Sequence, residues 1–268
     1  MLIFFISGND PNNLIITANI ELEKIYFWCL ANRVSMNALK TFFILFSKKT
    51  PINLPPLVIR SNFTYDVIKE VREIKFLGVF FDQKLTFKRH IAYITSRLAS
   101  ISSLFYRVKH IIPQHIMKIM YHAHVTSILN YCNIIWANTY DTHLTPLIRM
   151  QKRIIRNISR ADFLAHTDPL FRQLRLLRLT DIRKLALATY FFNHRHTLEE
   201  PLRANHQYHT RHRNRLRPIA HNRTLFQKSF IFQAPQYWNE ISIHFPDDSI
   251  NDLSPTQFKN RMKSILLN

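Results

Sequence analysis

Glycine is almost absent from this chain, and its scarcity narrows the possible folds more than any other feature of the sequence. Only two of the 268 residues are glycines, Gly8 and Gly78, and they lie far apart. Loops that cradle phosphate are rich in glycine, because a backbone without side chains can approach the ligand closely. The sequence therefore excludes a P-loop and a dinucleotide-binding fingerprint.

Cysteine is equally scarce, whereas the apolar content is ordinary. Two cysteines, Cys29 and Cys132, cannot form a disulfide framework or a four-cysteine zinc module. They fit a reducing intracellular setting, either nuclear or cytoplasmic. Hydrophobic residues make up 47% of the chain, which is enough for a core and argues against wholesale disorder. No apolar run approaches the ~20 residues that a membrane span needs.

Positive charge is concentrated in one part of the chain. The formal net charge is +20, from 37 Lys and Arg against 17 Asp and Glu. Residues 1–82 carry a net charge of only +2, and residues 83–140 and 201–239 contain no acidic side chain. A region with this excess of positive charge attracts polyanions. Nucleic acid is the leading candidate for the binding partner, because each neutralised phosphate releases counterions. An anionic membrane surface is the second candidate, and a protein that is merely basic is the third.

The first 82 residues alternate strand and helix signals. Apolar residues at helical spacing predict an amphipathic helix over residues 12–31. Gly78 lies inside an apolar run, which indicates a bend or a close backbone approach. Short strands are predicted at residues 2–7, 41–46, 57–60 and 74–81, the first of them buried.

From residue 87 onward the apolar spacing is helical. It predicts a long helix to about residue 108 and a second that begins at Pro113 and carries Ile116 and Ile119. A third helix has its apolar face from Leu144 to Ile158. Further helices are predicted after Thr167-Asp168-Pro169, from a Thr180-Asp181 cap to about residue 196, and at residues 255–267. Trp136 and Trp238 are expected in the core.

Two stretches place cations where they could contact phosphate. Residues 199–225 read as a basic linker or arm, in which Arg211, Arg213 and Arg215 alternate with histidine and asparagine. Arginine can both pair with phosphate and stack on bases. A disordered linker is the alternative for this arm, and a solvated basic face is the alternative for the third helix. The acid-free surroundings favour phosphate contact by that helix. Its polar face carries Arg149, Lys152, Arg153, Arg156 and Arg160.

Several short strings of residues occur in an order that is typical of one family. The segment around Leu77-Gly78-Val79, followed by Leu85-Thr86-Phe87, resembles the region after the catalytic core in reverse transcriptases of jockey-like non-LTR retrotransposons. The similarity covers nearly the whole chain, and the order and spacing of the strings carry it. The other strings are Leu22-Glu23-Lys24 with Trp28, Leu30-Ala31-Asn32-Arg33, Asn37 with Lys40-Thr41, Leu129-Asn130-Tyr131 with Trp136, residues 147–153 with Arg156, Tyr237-Trp238-Asn239, Phe258-Lys259 and Leu266-Leu267.

This resemblance implies an α+β fold in four parts. Residues 1–82 would be a partial reverse-transcriptase palm of short antiparallel strands and one helix, with a primer-grip hairpin at Gly78. Residues 83–198 would be a helical thumb, residues 199–225 the basic linker, and residues 226–268 a small C-terminal cap. Lys40 resembles the palm lysine near the phosphates of the incoming nucleotide. A surface lysine and a plain hairpin bend are the alternatives for Lys40 and Gly78.

The resemblance also implies what this chain lacks. Members of the family hold two metal ions on aspartates, two of which lie in a Phe/Tyr-Ala-Asp-Asp turn. Residues 1–7 resemble the strand after that turn, so we expect the fingers, half of the palm and these aspartates to lie outside this sequence. Phe245-Pro246-Asp247-Asp248 has a similar spelling, but its proline disfavours a metal-binding hairpin. We expect no catalytic residue, metal or cofactor here, although the complete polymerase would use Mg²⁺.

The sequence thus predicts a fragment of an RNA-directed DNA polymerase from a non-LTR transposable element. Its expected partners are RNA and RNA–DNA hybrid, bound without sequence preference, and the missing fingers and palm half are a further candidate partner. No membrane partner is expected. The alternatives are a non-catalytic RNA-binding or host-adopted structural protein, and an inert transposon remnant.

Overall fold

The chain combines helices with a few short strands, as the sequence predicts. The computed structural model describes residues 3–46, 54–61, 64–198, 216, 224–243, 245, 250 and 252–267. The chain divides into two compact units, Met1–Thr86 and Phe87–Asn268. All the described strands belong to the first unit, and the described part of the second is helical.

Helix α1, Pro11–Ala31, begins where the sequence supplies a cap. The Asp10 carboxylate accepts a hydrogen bond from the backbone N–H of Asn12 at 3.1 Å. Pro11 occupies the first turn, where its missing N–H would have no partner in the helix. The helix ends at Ala31 with Asn32 as its C-cap, so the helix predicted over residues 12–31 is confirmed.

The strands of the first unit form three two-stranded sheets. A strand predicted at residues 2–7 is wrong for the described residues 3–7, which form no strand and leave Phe5 82% exposed. An apolar run becomes a strand only where another strand offers it a backbone ladder, and no described strand pairs with these residues. The pairs are β1 (Phe42–Phe43) with β4 (Lys69–Glu70), β2 (Val58–Ser61) with β3 (Thr64–Val67), and β5 (Glu73–Phe76) with β6 (Val79–Asp82).

One of these sheets corrects the expected antiparallel arrangement. Strands β2 and β3 are antiparallel, as are β5 and β6, but β1 and β4 run parallel. The strand predicted at residues 41–46 is also only two residues long. Parallel pairing needs a long connection, and β1 and β4 are far enough apart in the sequence to allow it.

The core of the first unit covers only one side of α1. Ile15 and Ala18 pack with Leu57, Ile59 and Ile68. The amphipathic prediction is therefore incomplete, because the opposite side of the helix is also rich in apolar residues. Those exposed side chains are Ile16, Ile20, Phe27, Trp28 and Leu30.

The second unit is built from short and long helices. The helix from Pro113 onward and the helix at residues 255–267 lie where the sequence predicts them, but Thr180-Asp181 lies inside the first turn of α8 and Arg178 is its N-cap. Its helices are α2 (Lys88–Val108), α3 (Gln114–Tyr121), a π-helical segment (His122–Thr126), α4 (Ser127–Asn130), α5 (Asn133–Trp136), α6 (Asp141–Ser159), α7 (Thr167–Leu174), α8 (Leu179–Asn193), α9 (Arg195–Leu198), α10 (Thr224–Gln227), α11 (Phe230–Ser242) and α12 (Pro255–Leu267).

Helices α2 and α6 pack along each other and form the centre of this unit. Both are strongly amphipathic, and Leu98 and Phe105 of α2 and Leu147 and Ile154 of α6 are fully buried. Burial of each such side chain stabilises the fold by about 1.5–3 kcal/mol. Trp136 is fully buried as well, and its indole N–H donates to a backbone carbonyl at 2.7 Å, so its predicted core role is confirmed.

The C-terminal helices share a core with α8. Residues 226–268 therefore belong to the second compact unit together with residues 87–198. Phe192 stacks on Phe258 of α12 with ring centroids 4.2 Å apart, and Trp238 of α11 lies in the same cluster, 7% exposed. The predicted core position of Trp238 is thereby confirmed.

Candidate nucleic-acid interface

Helix α6 separates an apolar face from a basic one. Leu144, Gln151 and Ile158 mark its buried side, in the same register that the sequence predicts. On the opposite side, Arg149 and Arg153 are exposed and Lys152 is half-buried. Among the described residues no hydrogen bond or ion pair engages these three cations. They are available to a ligand.

Two of the predicted phosphate-binding arginines already have structural partners. Arg156 Nε donates to the carbonyl of Ala165 at 2.9 Å. Arg160 donates from Nε to the carbonyl of Lys109 at 2.8 Å and from Nη2 to that of Ile112 at 3.3 Å. These acceptors are neutral, so both guanidinium charges remain uncompensated. Helical periodicity could not reveal these contacts, because their acceptors lie on loops.

The surroundings of α6 contain few carboxylates. Asp141 is the one acidic residue within α6, and residues 83–140 have none. Helix α2 adds the exposed cations Arg97 and Arg107. An ion pair in the described part of this unit joins Arg178 to Asp168 at 3.2 Å, and neither residue belongs to α6. The positive electrostatic field that the sequence predicts therefore arises from side chains at the surface of the second unit.

The first unit holds two further predicted site residues, Lys40 and Gly78. Lys40 is exposed at the end of a short 3₁₀ helix, Ala38–Lys40, whose first turn is closed by the Asn37 side chain. Gly78 lies in the turn between β5 and β6 with φ of 83°, beside Leu77 with φ of 43°. Positive φ at both central positions is what a tight hairpin turn needs. The hairpin bend predicted at Gly78 is confirmed.

The remaining predicted site residues, Arg211, Arg213 and Arg215, lie outside the described residues. Within the predicted basic arm, Leu216 is described, and its side chain is 5% exposed. Asn239 accepts a hydrogen bond from its backbone N–H at 2.9 Å and donates to its carbonyl at 2.8 Å. This position of the arm is therefore attached to helix α11 rather than free.

Of the string Phe245-Pro246-Asp247-Asp248, the structure describes Phe245. Phe245 is buried, its ring stacks on Phe258 at 5.6 Å, and the Arg261 guanidinium lies 4.8 Å from its ring centroid. This residue is part of the core. No group of three or more His, Cys, Asp or Glu side chains in the described ranges could hold a metal ion. Within those ranges, no helix is both long and apolar enough to cross a membrane.

A second group of basic side chains, His122, Lys118 and Lys263, was not predicted from the sequence. His122, in the π-helical segment, has its pKa lowered below its ordinary value, first by partial burial and then by the positive charges of Lys263 and Lys118. Lys118 is one turn earlier, whereas Lys263 belongs to α12. Only the tertiary fold brings it to His122.

No family profile, curated protein or solved structure matches this chain. The order of its residue strings, its charge distribution and the geometry of helix α6 are therefore the grounds on which a function can be argued. Of these, α6 gives the most specific chemistry, because it presents cations that have no acidic partner among the described residues.

Proposed function

We propose that this chain binds nucleic acid through phosphate contacts made by the second unit. The observation that carries the proposal is the basic side of α6, where Arg149, Lys152 and Arg153 lie together on one well-packed helix. A rigid helix holds cations at fixed spacing, and phosphate contacts of this kind position a nucleic acid without reading its sequence. The partners proposed are RNA and RNA–DNA hybrid.

We further propose that the chain derives from the palm and thumb of a non-LTR retrotransposon reverse transcriptase. Its support is the order of the residue strings, together with the hairpin at Gly78 and the helical segment that follows it. In such a polymerase the basic helices would grip the template–primer duplex. The aspartates that hold Mg²⁺ in the family have no counterpart in the strings of this chain, so its proposed role is binding rather than catalysis.

Salt dependence tests the binding proposal. We expect the affinity of the chain for an RNA–DNA hybrid to fall steeply with salt, because each neutralised phosphate releases counterions. Replacing Arg149, Lys152 and Arg153 by Gln should weaken binding and lower the slope of log K against log salt by about 2 to 3, at about 0.7 to 0.9 per contact. Fluorescence anisotropy at several salt concentrations measures both quantities.

The matched control removes the same charge from the first unit. Lys24, Lys69 and Arg72 are exposed there, and their replacement by Gln should leave the slope nearly unchanged. Equal effects of the two triple variants would show that only net charge matters. A flat salt response of the unmodified chain would overturn the proposal.

A further inference from the structure

The loop after α6 presents two apolar side chains on an ordered turn. The backbone N–H of Ala165 donates to the carbonyl of Asp162 at 3.1 Å, and the N–H of Leu164 donates to the Asp162 carboxylate at 2.9 Å. Phe163 and Leu164 occupy the two central positions and are 74% and 84% exposed. Such positions usually carry Gly, Pro, Asn, Asp or Ser, so turn chemistry does not explain this apolar pair.

Two arginines fix this turn and a second loop at the end of α6. Arg156 holds the turn through the carbonyl of Ala165. Arg160 holds the loop after α2 through the carbonyls of Lys109 and Ile112. Both loops are therefore preorganised, which lowers the entropy lost when a ligand binds to them.

The second loop adds another apolar side chain and an open hollow. Ile111 is 80% exposed. Together with Pro113, Gln114 and Arg160 it lines a hollow of about 460 Å³. Arg156 and Arg160 lie one turn apart, so the two loops they hold meet the same end of α6. Exposed apolar side chains that cluster in this way mark a binding surface.

The turn at Phe163 and Leu164 and the loop at Ile111 together form one corner of this unit, and the charge of this corner indicates what it binds. Lys109, Arg156 and Arg160 form no ion pair among the described residues, and one oxygen of the nearby Asp162 already accepts a backbone hydrogen bond. The corner also continues the basic side of α6. Apolar groups beside cations that have no acidic partner complement unpaired nucleotides, whose flat bases stack on aromatic rings while their phosphates meet the cations.

We propose that Phe163, Leu164 and Ile111 form a platform for unpaired bases, and that Arg156 and Arg160 hold the adjoining phosphates. The proposal rests on the proposed nucleic-acid binding and extends it from duplex backbone to single strands. Phe163 is the stacking residue, since it carries the one aromatic ring of the turn.

The test compares a short single-stranded RNA with an abasic strand of equal length, so that only the bases differ. We expect the unmodified chain to bind the RNA more tightly than the abasic strand. Phe163→Ala should weaken RNA binding roughly 5- to 150-fold and leave abasic binding unchanged, while Phe163→Trp should preserve the preference. Ile243, also 74% exposed, supplies the control variant Ile243→Ala, which should bind like the unmodified chain.

The outcomes separate this inference from the proposed function. If the unmodified chain binds neither strand, the proposed function fails and this inference fails with it. If it binds both strands equally, or if Phe163→Ala keeps the preference, only the base platform is overturned. Loss of binding to phosphatidylserine vesicles by Phe163→Ala, with RNA binding intact, would overturn it in favour of a lipid surface. Because Phe163 is exposed, circular dichroism should show the same melting temperature in each variant.

Discussion

At the scale of single residues, this chain places other residues in the left-handed backbone conformation that glycine usually occupies. Among the described residues, Gly78 has a positive φ, and so do seven residues that are not glycine. A side chain makes this conformation cost roughly 1–2 kcal/mol. At Arg160, the C-cap of α6, hydrogen bonds to two carbonyls of another loop accompany the strained turn. The seven residues are Arg33, Leu77, Leu85, Phe87, Cys132, Arg160 and Arg175.

Gln151 is a buried polar side chain whose amide hydrogen-bonds to three other residues. Its amide nitrogen donates to the hydroxyl of Tyr121 at 2.8 Å and to the carbonyl of Leu177 at 3.0 Å, and its oxygen accepts from the N–H of Leu179 at 2.9 Å. It thereby joins α6 to α3 and to the start of α8. Burial raises the pKa of Tyr121 well above its ordinary value, so this hydroxyl stays protonated even in alkaline solution.

Replacing Gln151 by Ala should therefore destabilise the second unit. Two or three buried polar groups would lose their partners, at about 1–3 kcal/mol each. We expect the free energy of unfolding to fall by at least about 2 kcal/mol in urea denaturation. Gln173 is exposed on α7, and Gln173→Ala should change stability by less than about 0.5 kcal/mol. Equal stability of both variants would contradict the role assigned to Gln151.

At the scale of elements, the helix after Pro113 buries a different face from the predicted one. The sequence predicts that the helix after Pro113 carries Ile116 and Ile119, yet Ile119 is 62% exposed. The face that carries Met117 is buried instead, and the wider turns of the π-helical segment, which follows Ile119, lengthen the spacing of the buried residues. The buried residues recur every fourth position from Met117 through Tyr121 and Val125 to Leu129.

His122, which lies in this segment, makes the stability of the folded chain depend on pH. Its pKa is lowered in the folded chain, so the folded state binds fewer protons than the unfolded state between the folded pKa and about pH 6.5. The contribution of His122 to stability should be complete above that pH and should be lost as the pH falls through the folded pKa. An NMR titration of the His122 ring should show this lowered pKa directly.

Lys263 provides the variant that tests the cause. Lys263→Gln removes a positive charge contributed by α12 and should raise the pKa of His122 toward its ordinary value. Lys259 is exposed on the same helix, and Lys259→Gln should shift the pKa less. An unchanged pKa in Lys263→Gln would show that α12 does not influence this site.

At the scale of the whole molecule, the two units differ in charge and in architecture. The strand-containing unit is nearly balanced, whereas the helical unit carries almost the entire excess of positive charge. The proposed binding function therefore belongs to the second unit. In the reverse transcriptases that we propose as the origin of this chain, catalysis depends on aspartates. The residue strings that carry the resemblance do not include them.

Primer extension tests that assignment. The purified chain, given Mg²⁺, nucleotides and an RNA template with a DNA primer, should incorporate no nucleotide, because two-metal catalysis needs carboxylates to hold the ions. A competent reverse transcriptase on the same substrate is the positive control. Incorporation by this chain would refute a purely binding role.

The sequence by itself determined the helices and the distribution of charge. Helices α1, α2, α6 and α12 follow from apolar spacing and caps, because these signals act between residues a few positions apart. Only the tertiary structure decided which strands pair, that residues 3–7 form none, and that Arg156 and Arg160 hold loops. The same is true of the contact between Leu216 and Asn239 and of the influence of Lys263 on His122. Each of these depends on residues distant in sequence, whose meeting is fixed by packing rather than by local pattern.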